Sequence, residues 1–498
     1  MENRFNLIDE PWIPVADHGR ASLRDIFSNP ELRSLGGNPV EKIALLKLLL
    51  AIAQAAATPP DEHTWRAMGP DGLARKCLVY LQQWHDNFWL FGEKPFLQMP
   101  AIAAAARLSY GTLAPWVATG NTTVLNKGQL GGFPEDAAKA LLLLCQMAFP
   151  LGGKKTDNSV TLTSGYSGKK NDKGKPSTGR PGPAVCHMGL LHNFLLGTSL
   201  QETLWLNLFS TEQIEASRQF SAGLGTAPWE NMPTGEDDDL ARQLRQSLIG
   251  RLIPLARFCL LTEDGVHYSE GIAHPDYKEG MTDPSVAADY SAKKPRVLWT
   301  NPDKRPWREL TALLEFFSAQ DKRSMTCWQL EACTDRARDV TTNLGIWSGG
   351  LRVSSNAGEQ YVSGSDDFVA SEVWLQTADL GSNWLTLLKA EMSGLDTLAK
   401  RVYGCTAGFF REQLTDGTKL AAQASSLFWQ LCERDFQQLV NHCESTEDAM
   451  EARRQLRYGF TQYALQAYDH YCPNETARQM DAWASCRPNF IDYLRLEV

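Results

Sequence analysis

From Ser371 to Val498 the chain repeats one pattern four times, an apolar stripe at helical spacing closed by a short polar link. Leu388, Met392, Leu395, Ala399 and Val402 share one face of a first helix, and Leu420 to Cys443, Thr446 to Tyr471 and Glu475 to Leu496 supply three more. The links TDG, CEST and CPN are too short to let consecutive helices run parallel, which holds this stretch to an antiparallel four-helix bundle. The serine of CEST is placed to cap the helix that follows. With 12 Lys/Arg against 17 Asp/Glu, the bundle is a poor surface for phosphate and a better one for docking another protein.

The preceding 370 residues carry no such uniform period. FNLIDEPWIPV opens as a strand with a proline-punctuated turn, and Ala21 to Phe27 is a short strand or helix. Val40 to Ala57 sets Ile43, Leu46, Leu50 and Ala53 on one helical face ended by Pro59-Pro60. Leu73 to His85 predicts another helix, NFWLFGEKPFLQMP a strand-turn-strand, and Pro134 to Ala148 a helix. Val185 to Phe209 is apolar and mainly helical, and Gly223 to Asp239 is a polar linker. Short strands follow at Arg251 to Leu261 and Arg296 to Thr300, then a helix at Trp307 to Ala319. A hairpin joins Leu344–Trp347 to Gln360–Val362 across a small polar tip. The expected class is therefore α+β, with a large mixed domain over 1–370 and the bundle over 371–498.

At 498 residues, 43% hydrophobic and 21% charged, the chain has the make-up of a globular protein of roughly two to four domains. The apolar run Ile43 to Ala57, broken by Lys47 and Gln54, is too short to span a bilayer, and MENRFNLIDEPW lacks a signal peptide's apolar centre. A cytoplasmic location without membrane partners is expected. Eleven scattered cysteines with no C-x-x-C pair argue for reduced thiols and against a zinc knuckle.

Against a net charge of −9, one segment stands apart: Lys154 to Arg180 gathers seven Lys/Arg and two Asp within the Gly-, Lys- and Ser-rich interruption Pro150 to Gly182. A loop of this length without its own structure is functional or disordered, and its excess of cations suits a polyanion. Gly152-Gly153 can lie against a partner's backbone, since neither has a Cβ. A second candidate contact loop, Ala118 to Gly132, is rich in Gly, Asn and Thr.

Bond-making chemistry finds little footing. Gly168 to Lys175 resembles a phosphate loop, but five residues separate its glycines and Pro176 stands where Ser or Thr must hold magnesium. Cys186-His187 and His192 lie in an apolar segment without a fourth metal partner, so His192 reads as a core or capping histidine. Glu236 to Asp239 and Asp366-Asp367 read as solvated acids, and no G-x-S-x-G or H-E-x-x-H is present. No catalytic residue, metal or cofactor is assigned. Two readings stand on residues alone: a non-catalytic nucleic-acid-binding subunit with a docking bundle, or a cytosolic enzyme whose 152–182 loop is an active-site lid.

FNLIDEPWIPV followed by LRDIF, PFLQ at Pro95 to Gln98, GN-x-x-x-L-N at Gly120 to Asn126, PLGG at Pro150 to Gly153, PWE at Pro228 to Glu230 and GGLR at Gly349 to Arg352 occur in order. In these motifs, and in its length and terminal bundle, the chain resembles the CasA family, the large subunits of type I-E CRISPR Cascade surveillance complexes. That resemblance implies a non-catalytic subunit that works with a CRISPR RNA and the Cascade backbone and small subunits. It reads the protospacer-adjacent motif (PAM) in double-stranded DNA, promotes R-loop formation and helps recruit a helicase-nuclease. It also implies roles by position. Asn126 lies in a loop near the motif, Gly152 and Gly153 enter the minor groove with Lys154 and Lys155 beside them, and Lys278 reaches the same groove. Arg352 is expected on the same DNA, and the hairpin after it places a wedge at Ser354, Ser355 and Asn356, where the best-known member has glutamine. The insert carrying Lys169, Lys170, Lys173 and Lys175 has no clear family counterpart, and its cations are expected on DNA phosphate.

Overall fold

The computed structural model describes residues 2–110, 135–148, 160–163, 189–217, 219–275, 277–291, 293–318, 325–352, 368–378 and 380–495. Two compact units divide the chain: Met1–Trp307 with Ser324–Glu372, and Arg308–Arg323 with Val373–Val498. The first mixes helices with small sheets and the second is helical, so the class is α+β, in line with the sequence.

The first unit is built around the helix Pro39–Ala57. Asn38 caps it by accepting from the Glu41 amide while Glu41 reaches back to the Asn38 amide, and Pro39 sits where no donor is needed. The sequence gives this helix one inward face. In the fold it is enclosed nearly all round, with Leu45, Leu48, Leu49 and Ile52 as inaccessible as Ile43 and Leu50. Such enclosure tolerates a charge only if the charge is paired, and Lys47, 1% exposed, is bonded to Asp283, 2% exposed.

Across from this helix lies a three-stranded sheet with Asn343–Leu351 between His192–Leu196 and Phe368–Gln376. The first pair is antiparallel, with Gly345 opposite Leu196 and Gly349 opposite His192. A second sheet sets Val266–Glu270 between Arg257–Leu261 and Arg107–Leu108. The opening motif forms strands at Arg4–Asn6 and Ile13–Val15, pairing with Trp89–Phe91 and Gly19–Ala21. Within it, Asn6 accepts from the Ile8 amide and the Trp12 indole donates to the Leu7 carbonyl.

Several expected elements come out differently. The helix predicted from Leu73 begins at Glu62, because Asp61 caps it and the break at Gly69 (φ 61°) before Pro70 is only a kink. The second aromatic strand does not form. Only Trp89–Phe91 is a strand, and Gln98 instead ties two elements together, donating to the Leu90 carbonyl and accepting from the Leu261 amide. Val185 to Phe209 is not mainly helical in its described part, which holds the strand His192–Leu196 and the short helix Leu200–Leu206. A short apolar run does not distinguish a buried strand from a buried helix.

The expected polar linker is packed. Trp229, 4% exposed, sits against Phe88 and Phe96, and its indole donates to the Tyr80 hydroxyl. Glu236 is fully buried and accepts from the amides of Leu162 and Thr163, while Asp238 caps the helix Asp239–Arg245. Within the acidic run, Glu236 and Asp238 are thus structural, answered by backbone donors, Asp237 pairs with Arg245, and Asp239 is exposed as the sequence suggests. The helix expected at Trp307 to Ala319 is three short turns, Pro306–Glu309, Leu310–Leu313 and Glu315–Phe317.

In the second unit, Ser382–Glu412, Thr418–Asn441 and Glu447–Tyr471 are the long helices, linked so briefly that neighbours run antiparallel. Leu388, Met392, Leu395, Ala399 and Val402 are all buried, as their spacing requires. Thr446, not the preceding serine, caps the third helix. The fourth, expected as Glu475 to Leu496, is Ala477–Cys486 followed by a turn at Ile491–Leu494, since Pro488 cannot continue the helix. Glu391 is buried on the first helix and accepts from Arg457 Nε (3.0 Å), with Arg453 Nε 3.4 Å away.

Candidate nucleic-acid interface

A buried polar ladder starts at the Lys47–Asp283 pair. Ser285 Oγ donates to Asp283 Oδ1 (2.7 Å), so the same Ser285 Oγ accepts from Nδ1 of His192 at 2.9 Å, which fixes the proton on Nδ1. Burial pushes the His192 imidazole down to about 4, so the ring is neutral at pH 7. Burial raises the Asp283 carboxyl, but the Lys47 charge and the hydrogen bonds from Lys47 and Ser285 outweigh it and hold the group below the usual range. Beside this, Asn193 donates to the Ser285 carbonyl (3.0 Å) and accepts from Ser348 Oγ (2.6 Å). The ladder thus ties the segment around 283–286 to the enclosed helix on one side and, on the other, to two neighbouring strands of the three-stranded sheet, His192–Leu196 and Asn343–Leu351.

From this anchorage the chain continues through the antiparallel pair Ala288–Asp289 and Arg296–Val297, with Lys293 and Lys294 exposed between them. Leu190, Val286, Ala288 and Val297 form a small apolar cluster, and Tyr277 packs against it. Trp299 bridges to Leu190, and the Thr300 amide donates to the Gly189 carbonyl at 2.6 Å. Gly350 closes the same spot. A Cβ there would collide with Thr300 Oγ1 and come within 2.8 Å of the Leu190 carbonyl, so the strand end can seat only as glycine.

Two of the residues singled out in the sequence meet around this segment. Lys278, exposed on the turn Tyr277–Glu279, has Nζ 5.6 Å from the centre of the Tyr277 ring, which stands edge-on to Trp299 at 6.0 Å. Arg352, half-buried just past the strand end, has Nη1 3.9 Å from Asp303 Oδ2. That separation makes a loose pair worth less than about 1 kcal/mol and easily exchanged for another anion. Gly189 and Arg352 both abut the 299–303 segment. Asn126, Gly152, Gly153, Lys154, Lys155, Lys169, Lys170, Lys173, Lys175, Ser354, Ser355 and Asn356 lie outside the described residues, as do Cys186, His187, Asp366 and Asp367.

Sequence reasoning passed over Trp299. An aromatic between Arg296 and the Lys304-Arg305 pair is the interleaving that nucleic-acid surfaces use, and that signal was available. Among the described residues no group of three His, Cys, Asp or Glu gathers to hold a metal ion, and no helix is long and apolar enough to cross a membrane. The ten described cysteines are all free.

The sequence model of the family described as CRISPR-associated protein Cse1 matches residues 6–467. A Thermus thermophilus protein described as CRISPR-associated protein CasA/Cse1 is 29% identical over 343 residues, 62% of this chain and 60% of that protein's length. The match therefore spans less than two thirds of that relative. In fold, the chain is similar to Thermobifida fusca Cse1, with a TM-score of 0.75 and 19% identity over 99% of this chain and 98% of the other. It is also similar to a chain of a solved CRISPR RNA-guided surveillance complex, with a TM-score of 0.65 and 18% identity over 98% and 99%.

Proposed function

Because the chain belongs to the CRISPR-associated Cse1 family, we propose that it is the large, non-catalytic subunit of a type I-E Cascade complex, working in the cytoplasm with a CRISPR RNA and the backbone and small subunits. In that role it reads a short motif beside the target in double-stranded DNA and helps the guide RNA open the duplex. It then helps recruit the helicase-nuclease that cuts. The observation that supports this most is that Lys278, through Tyr277, and Arg352, through Asp303, come to one segment, Trp299 to Asp303. A lysine and an arginine there can answer phosphate charge. The side-chain-poor sequences at Gly152-Gly153 and Ser354 to Asn356 suit a minor groove, whose limited donor pattern fits a permissive reading.

Duplex opening fits a subunit without bond-making chemistry. The RNA–DNA hybrid formed is about as stable as the duplex it replaces, so a modest contact beside the first base pair tips the exchange. The docking bundle is assigned to the protein partners by its acidic surface balance.

Purification of the tagged chain from cells expressing its neighbouring subunits tests the assembly. The expected result is co-elution with an RNA of uniform length and several proteins. A chain that elutes alone and free of RNA under those conditions would remove the proposal.

A further inference from the structure

We propose that the indole of Trp299 is a stacking platform for an unpaired base next to the point where the duplex opens. The inference rests on the reading of this face as a DNA interface and adds to it a residue that holds the opened state. Trp299 is 45% exposed, and among the described residues it is the one tryptophan with a large exposed surface. Its exposed indole presents a flat aromatic face on which another ring can stack.

Its mounting is rigid. Leu190 pairs with its backbone, Thr300 next to it is bonded to Gly189, and Tyr277 braces the ring edge-on at 81°. A braced indole loses little freedom when a base stacks on it, which is what makes a platform effective. The surrounding charge matches a nucleic acid. Lys278 lies one aromatic ring away, and Lys304, Arg305 and Arg352 flank the loop that Trp299 opens. Stacking accepts any base, so the platform holds an extruded base without adding sequence preference. Reading of the motif and capture of the freed base are thus separate tasks of neighbouring residues.

The test uses the assembled complex and duplexes carrying 2-aminopurine at successive positions beside the motif, with Trp299→Ala and Trp299→Phe. The wild type is expected to quench the probe at one position, Trp299→Phe to keep most of that signal, and Trp299→Ala to lose it and open the duplex about 10-fold more slowly, within the roughly 5- to 160-fold that one stacked base supplies. Preference for motif-bearing duplexes in the initial binding step stays as in the wild type. Wild-type emission from Trp299→Ala at every position, with motif preference intact, overturns the platform and leaves the DNA-interface reading standing. Loss of RNA or subunits from the Trp299→Ala complex places the indole in a protein interface and equally overturns it. Absence of motif preference in the wild type removes the underlying reading, and the platform with it.

Discussion

Replacing Lys47 with methionine is expected to cost the first unit roughly 3–5 kcal/mol, because it leaves the Asp283 carboxylate buried without its counter-charge. Methionine fills most of the volume, so the loss reports the charge rather than a cavity. The strand start at His192 and the segment at 283–286 hang from the same ladder, so damage is expected to spread outward to the face that carries Lys278 and Trp299. Denaturant unfolding followed by tryptophan fluorescence measures the first effect, and hydrogen exchange across residues 283–300 the second. Lys47→Met combined with Asp283→Leu should recover part of the stability, since an apolar pair no longer strands a charge. A loss below about 1 kcal/mol in the single variant would mean that the pair does not anchor this face.

Changing Lys169, Lys170, Lys173 and Lys175 together to alanine is expected to weaken DNA binding by the assembled complex on the order of 10-fold or more at moderate salt. If all four meet phosphate, the slope of log affinity against log salt falls by about 3–4, at roughly 0.9 per contact. The weakening should be alike on motif-bearing and motif-free duplexes, because phosphate carries no sequence information. An active-site lid predicts no change in salt slope, so the same titration separates the two readings of this insert. Unchanged affinity would show that the four lysines project into solvent.

The helical unit was legible because its period is local. Leu388, Leu395 and Val402 declare a buried face with no knowledge of what covers it, and Pro488 alone accounts for the break in the last helix. The mixed unit resisted wherever an environment was supplied from far along the chain. Glu236 looks solvated in sequence, and only the Leu162 and Thr163 amides make it a buried acceptor. The strand at His192 lies in an apolar run with no alternation, since both of its faces are covered. Lys278 and Arg352 could be picked by family motif, but their approach to one loop depends on Leu190, Thr300 and Gly350 meeting across three separate segments.

The comparison that bears most directly on a motif-reading face is the ratio of affinities for duplexes with proper and improper flanking sequence. It is measured in the assembled complex for the wild type and for Gly152→Val, Gly153→Val and Lys278→Ala combined. If the two glycines meet the groove, side chains there bar close approach, and the lysine change removes a cation beside it, so the ratio should collapse toward one while motif-free binding falls by no more than the one lysine contact supplies. A ratio equal to the wild type's would place motif reading elsewhere on the complex.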